Sequence, residues 1–222
     1  MHRAIVVGMR GQTPTAYIPA SSATGRRLPN SAFRERAWRI HEIADDFELL
    51  DVWQLPTPGG PDDLRLLVEL IAGDVLSEHR SAIVKLVWSV RWELGRLLHW
   101  DDPHNGVGMR VPSLSARFPA DLRGAPIGPD FGQSPFTSLY LLHDEFAAEL
   151  ANSTCHGVLH IGWVETESGC YTAQLAILVK PNGAKGRAYL AGIQPFRHAL
   201  IYPAMLRQIG RSWSDLHEAG RR

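Results

Sequence analysis

Residues 145–163 read Glu145-Phe146-Ala147-Ala148-Glu149-Leu150-Ala151-Asn152-Ser153-Thr154-Cys155-His156-Gly157-Val158-Leu159-His160-Ile161-Gly162-Trp163. Two runs that alternate in character flank a polar pair, which is the signature of a β-hairpin. A two-residue turn at Asn152-Ser153 sets Glu149 opposite His156 and Glu145 opposite His160. Side chains alternate between faces, so both carboxylate–imidazole pairs share one face with Ala147, Ala151 and Val158. Phe146, Leu150, Cys155, Leu159, Ile161 and Trp163 take the other face, which is therefore core.

The environment of the Glu/His face depends on the next strand. A two- or four-residue loop before Cys170 brings Tyr171, Leu175, Ile177 and Val179 beside the pairs. A three-residue loop turns them away, because a slip of one residue reverses every side chain. In the first arrangement Glu145, Glu149, His156 and His160 are candidate catalytic groups. Burial raises a carboxyl pKa, a neighbouring imidazole opposes the shift, and such a pair can move protons. The bland alternative is a wetted sheet face with cross-strand ion pairs worth at most about 1 kcal/mol each. Four residues along a strand separate His156 from His160 by roughly 13 Å, too far for one metal ion, so no metal site is expected.

Outward from the hairpin, further strands are expected near 137–151, 154–165, 171–180 and 187–194. The connections are Asn152-Ser153, Glu167-Ser168-Gly169 and Pro181-Asn182-Gly183. A closing helix runs from about Tyr202 to Asp215, with Tyr202, Leu206, Ile209 and Trp213 on one side. Pro203 suits its first turn. Upstream, residues 47–55 read as a strand ended by Pro56-Thr57-Pro58-Gly59-Gly60. A helix follows from Asp62 or Asp63, with Leu64, Leu67, Val68 and Ile71 at helical spacing and Gly73 as its stop. A second helix is expected over 78–98, carrying Trp88, Arg91 and Trp92. Residues 101–135 hold six prolines and five glycines without periodicity, a pattern of covering loops and insertions alike.

The totals bound the function. A chain of 222 residues with 45% apolar residues, 21% charged residues and zero formal net charge is ordinary globular protein. It lacks the basic footprint of a nucleic-acid binder, no run is long enough to span a bilayer, and two cysteines make no disulfide framework. Residues 5–8 resemble the start of a nucleotide-binding turn, but the three-glycine pattern is missing and Pro14 interrupts it. The expectations are a cytoplasmic protein with no cofactor, no nucleic-acid partner and no membrane partner. Its oligomeric state, monomer or homodimer, stays open.

Several strings stand in order along the chain: Asp46-Phe47, Asp51-Val52-Trp53, Arg91-Trp92-Glu93-Leu94-Gly95, Glu149-Leu150-Ala151-Asn152-Ser153-Thr154, Val179-Lys180-Pro181-Asn182-Gly183, Pro195-Phe196-Arg197-His198 and Tyr202-Pro203-Ala204. From Leu28 to Trp213 the series resembles the domain of unknown function 2867 family, itself similar to the START-like, birch-pollen-allergen-like superfamily. The resemblance implies an α+β helix-grip fold, a curved antiparallel sheet wrapped around a long C-terminal helix. It implies a single domain over 28–215 behind an extension at 1–27. It also implies a cavity between sheet and helix for a small amphipathic organic ligand. Candidate ligand-binding residues are Trp53, Arg91, Tyr171 and Leu175, with Tyr189, Arg197 and Tyr202 from the C-terminal part. The alternative is an acid–base enzyme, a cyclase, dehydratase or isomerase of a polyketide-like substrate, in the same cavity. The family supplies no catalytic residues to carry over. Asp51, on the first strand, either points into that cavity or edges it. Arg187 and His198 read as carboxylate-binding or as surface groups.

Overall fold

The structure is a computed structural model that describes residues 25–75, 106–108, 111–131, 135–167 and 169–219. The helix expected over 78–98, with Arg91, lies outside the described residues. So do residues 1–24 of the extension and parts of 101–135.

Six strands form one antiparallel sheet: β1 (Arg26–Arg27), β2 (Glu48–Gln54), β3 (Thr137–Leu141), β4 (Glu145–Ala151), β5 (Cys155–Glu165) and β6 (Tyr171–Pro181). Their order across the sheet is β1-β2-β6-β5-β4-β3. The stretch expected as a single strand over 137–151 is thus two strands, folded back at Leu142–Asp144, where Leu142 N–H donates to the Glu145 carbonyl. Short helices α1 (Ser31–Arg34) and α2 (Ile40–Ile43) precede β2, and α3 (Leu64–Leu70) follows it. Leu64, Leu67 and Val68 of α3 are buried as their spacing requires, but Gly73 does not stop the element. It lies inside a π turn over Ile71–Val75.

The segment expected as a strand over 187–194 is helical, α4 (Gly183–Phe196). Asn182-Gly183 reads as a hairpin turn, yet β6 already has β2 on one side and β5 on the other, so no edge is free for another strand. Ala184, Ala188, Leu190 and Ala191 then follow their helical propensity. The chain continues through a π turn (Arg197–Ile201) into α5 (Tyr202–Ala219), which reaches past the expected end at Asp215. Among the described residues no helix is long and apolar enough to cross a membrane.

Two apolar layers sandwich the sheet. On one face α5 and α3 pack Tyr202, Leu206, Ile209, Trp213, Leu64 and Leu67 onto Trp53, Phe146, Leu159, Ile161, Trp163 and Leu175. On the other face the segment around α1 and α2 joins residues 114–122 in covering Val52, Ala147, Val158, Ala176 and Leu178. The Pro/Gly-rich stretch does cover something, through Leu114, Phe118 and Leu122. Two charged contacts hold the covering segments together. Arg39 Nη1 donates to Asp121 at 2.7 Å, and Arg117 Nη1 donates to Asp46 at 2.6 Å.

Gly186, near the start of α4, is the tightest point between that helix and the sheet. A Cβ there would run into the backbone carbonyl of Thr154, which cannot swing aside like a side chain. Gly186→Ala is therefore expected to lower stability by about 1–3 kcal/mol, the usual cost of overpacking, read as a shifted denaturant midpoint. An unchanged midpoint would show that α4 floats free of the β4–β5 turn.

Candidate functional site

The β4–β5 turn lies one residue later than its sequence suggests. Asn152 N–H donates to the Cys155 carbonyl, and Asn152 Oδ1 accepts from Thr154 N–H at 2.9 Å and Cys155 N–H at 3.1 Å. This Asx geometry makes Ser153-Thr154 the turn pair. Moving a turn by one residue moves the register by two, so faces are kept while partners change. Glu149 stands opposite Val158, Ala151 opposite His156 and Ala147 opposite His160. The carboxylates and imidazoles meet as diagonal neighbours instead. His156 Nε2 lies 2.7 Å from Glu149 Oε2, and His160 Nε2 lies 3.1 Å from Glu145 Oε1.

The next loop settles the open register. Thr166 N–H donates to the Cys170 carbonyl across a three-residue loop, and Gly169 adopts φ +75°, which suits glycine. Hence Thr172, Gln174, Ala176 and Leu178 share the Glu/His face. Tyr171, Leu175, Ile177 and Val179 point to the face that carries α5, so they do not stand beside the pairs. The pairs are buried all the same, but beneath α1, α2 and the 114–122 segment, not beneath the terminal helix.

Each of these carboxylates is occupied by the layer above it. Glu145 accepts from Arg39 N–H at 2.7 Å, Ile40 N–H at 2.9 Å and Tyr140 O–H at 2.5 Å. Tyr140 reaches it because a bulge between Ser138 and Tyr140 changes its face. Glu149 accepts from Ser113 O–H at 2.5 Å and Leu114 N–H at 3.1 Å. Phe33 and Trp38 wall in His160, and Phe47 packs edge-on against His156. Burial by itself pushes the Glu145 carboxyl up. The His160 imidazole beside it and the Tyr140 and Arg39 donors win, and they hold it below the usual range.

A second cluster forms on the other face, at the edge where β2 meets the C-terminal helix. Leu49 pairs with Leu178 on the Glu/His face, but a one-residue bulge at Leu50 leaves Asp51 paired with Ile177, on the helix face. Asp51 is fully buried. His198 Nε2 lies 2.6 Å from its Oδ1, Tyr202 O–H donates to Oδ2 at 2.9 Å, and Arg197 Nη2 lies 3.0 Å from Oδ2. Arg27 of β1 adds a guanidinium at 3.5 Å. His198 and Tyr202 are four apart and share a helix face. Arg197 is five from Tyr202, which on a regular α-helix would turn it roughly 140° away. The π turn over Arg197–Ile201 takes up that extra residue and brings all three onto one carboxylate, a placement such turns often have at functional sites. Burial and the Asp51 charge push the Tyr202 phenol well up, so it stays a donor.

Trp53 and Tyr202 pack ring on ring at 4.8 Å, and Leu175 stands opposite Trp53 across the sheet. Trp53, Leu175, Arg197 and Tyr202 are thus brought together. Tyr171 is not: it sits four residues farther along β6, stacked on Trp163. Tyr189, expected on a strand, lies half-buried on α4. Asp51 lies two residues from Trp53 and shares its face, so alternation along β2 could have found it, whereas His198 sits on a π turn that no regular period describes.

The family model for proteins of unknown function, DUF2867, matches residues 43–205. The chain belongs to the DUF2867 family. The matched span runs from α2 to α5 and so includes Asp51, Trp53, Arg197, His198 and Tyr202 as well as both Glu–His pairs. No curated protein and no solved structure matches the chain.

Proposed function

We propose that this DUF2867 chain binds a small organic anion with an apolar body, held between β2 and the C-terminal helix. The carrying observation is the charge around Asp51: two guanidiniums face one carboxylate, which leaves a surplus of one positive charge. Arg27 and Arg197 have no second carboxylate partner among the described residues. Trp53 Nε1 and Arg197 Nε are buried donors with no hydrogen bond there. Buried donors of this kind carry a desolvation cost that an anionic ligand removes. The rings of Trp53 and Tyr202 supply the apolar neighbour, as small-molecule sites commonly arrange. The order of antiparallel sheet then long terminal helix supports the helix-grip, START-like reading of the fold, in which a ligand lies between these two elements.

The same reading gives the Glu–His pairs a different task. Both carboxylates hold backbone N–H groups of the covering layer, so they tether α2 and the 114–117 turn to the sheet. Acid–base turnover of a substrate, the second reading, finds better support at Asp51 than at Glu145 or Glu149.

Calorimetric titration with phenylacetate and its neutral amide tests the binding. Phenylacetate should bind, and Arg197→Gln should weaken it about tenfold or more, the worth of a charge-assisted hydrogen bond, while leaving the amide unchanged. Equal affinity for the two compounds, or no effect of the substitution, overturns the proposal.

A further inference from the structure

We infer that Asp51 and His198 form a base dyad that removes a proton from carbon next to a carbonyl in the bound anion. The inference rests on the binding reading above and adds a reaction to it. Three observations carry it.

The first is the tautomer. As a carboxylate, Asp51 only accepts, so His198 Nε2, 2.6 Å from Oδ1, carries the proton. The neutral ring then keeps its lone pair on Nδ1, which makes no hydrogen bond among the described residues. The second is access. Asp51 is sealed while the His198 side chain remains 26% exposed, so the base is oriented from below and reachable from above. An imidazole fixed by a buried carboxylate is the general arrangement for activating a base, and the carboxylate stabilises the imidazolium that forms. The third is the donor set. Trp53 Nε1 and Arg197 Nε are buried without partners, Arg197 is paired with the same carboxylate, and Trp53 lies 6.3 Å from His198 between ring centres.

The step balances without a further reagent. His198 Nδ1 takes the proton, the C–H electron pair becomes a carbon–carbon double bond, and the carbonyl pair moves onto oxygen. The enolate oxygen is stabilised by the Arg197 and Trp53 N–H donors. Return of the proton to the same carbon gives exchange, and delivery to another carbon gives isomerisation. The Glu–His pairs on the opposite face take no part in this step, because their carboxylates are held under the covering layer.

Phenylpyruvate is the probe: an enolisable keto acid with an anionic head and an apolar ring. Loss of its C3 protons in D2O, followed by NMR, reports the proton transfer, and calorimetry reports binding. The wild-type chain should accelerate exchange over the protein-free rate. His198→Gln should lose about a hundredfold or more of that acceleration while still binding the probe. Asp51→Asn should also lose acceleration, since the amide no longer enforces the tautomer, and far-ultraviolet circular dichroism confirms that both variants fold. Binding without accelerated exchange in the wild type overturns the dyad and leaves the binding reading standing. Full exchange by His198→Gln also overturns it. If phenylpyruvate does not bind the wild type at all, the binding reading falls and the dyad falls with it.

Discussion

Glu145→Ala is expected to destabilise the fold by about 3–5 kcal/mol, the cost of breaking a buried charged pair by removing one partner. The carboxylate, on a residue only 2% exposed, accepts from two backbone N–H groups at the start of α2 and from the Tyr140 phenol, and it lies 3.1 Å from His160 Nε2. Alanine leaves those three donors without an acceptor, each with its own desolvation cost, and takes the charged neighbour from His160. Glu145→Gln keeps one oxygen and should fall between the two. The acid limb of stability should change as well. The folded carboxyl sits below its ordinary value near 4.5, so its contribution is complete above that pH. It is lost as pH falls through the lower folded value. Guanidinium unfolding at pH 7 and near pH 4 reads both effects. A loss under 1 kcal/mol at neutral pH would mean that the covering layer does not depend on this tether.

Trp213→Ala is the matching experiment on the other face, with an expected loss of about 3–5 kcal/mol. Trp213 is 2% exposed, donates its indole N–H to the Pro58 carbonyl at 2.8 Å and meets Trp163 edge-on at 6.2 Å. It fixes the far end of α5 to the turn after β2. Tyr202 at the near end is fixed independently by Asp51 and Trp53. The variant should therefore lose stability while phenylacetate affinity in the folded protein changes less than it does in Arg197→Gln. Equal loss of affinity would mean that the terminal helix moves as one rigid rod and that the two ends are not separate attachments.

Much of this architecture is written in local pattern. Alternation over 145–163 places Phe146, Leu159, Ile161 and Trp163 on one face, and the 3.6-residue stripe of Tyr202, Leu206, Ile209 and Trp213 supplies the helix that covers it. The Glu/His face survives an incorrect turn only because a turn shift of one residue changes register by an even number. What pattern could not reach is set by neighbours distant in sequence. Whether 183–196 becomes strand or helix depends on β2 having taken the edge of β6, a pairing across about 130 residues of chain. The tethering role of Glu145 and Glu149 depends on backbone N–H groups at Arg39, Ile40 and Leu114, which no side-chain periodicity announces. The Asp51 cluster depends on the π turn at Arg197–Ile201, and the bulge at Leu50 offsets the strand before it; a period of 3.6 or 2 describes neither irregularity.

Those irregularities, the bulge at Leu50 and the π turn at Arg197–Ile201, each amount to one surplus residue in an otherwise regular element. They face each other across Asp51, so excising both would leave a smoother strand and a straighter helix. Regularised backbones tend to be sturdier. Such a shortened chain would still set Leu49 opposite Leu178 and Asp51 opposite Ile177, and would place Arg197 four residues from Tyr202. The polar cleft would survive the loss of both residues. Sturdiness gained by shortening would leave the carboxylate and its cations on the same side of the sheet.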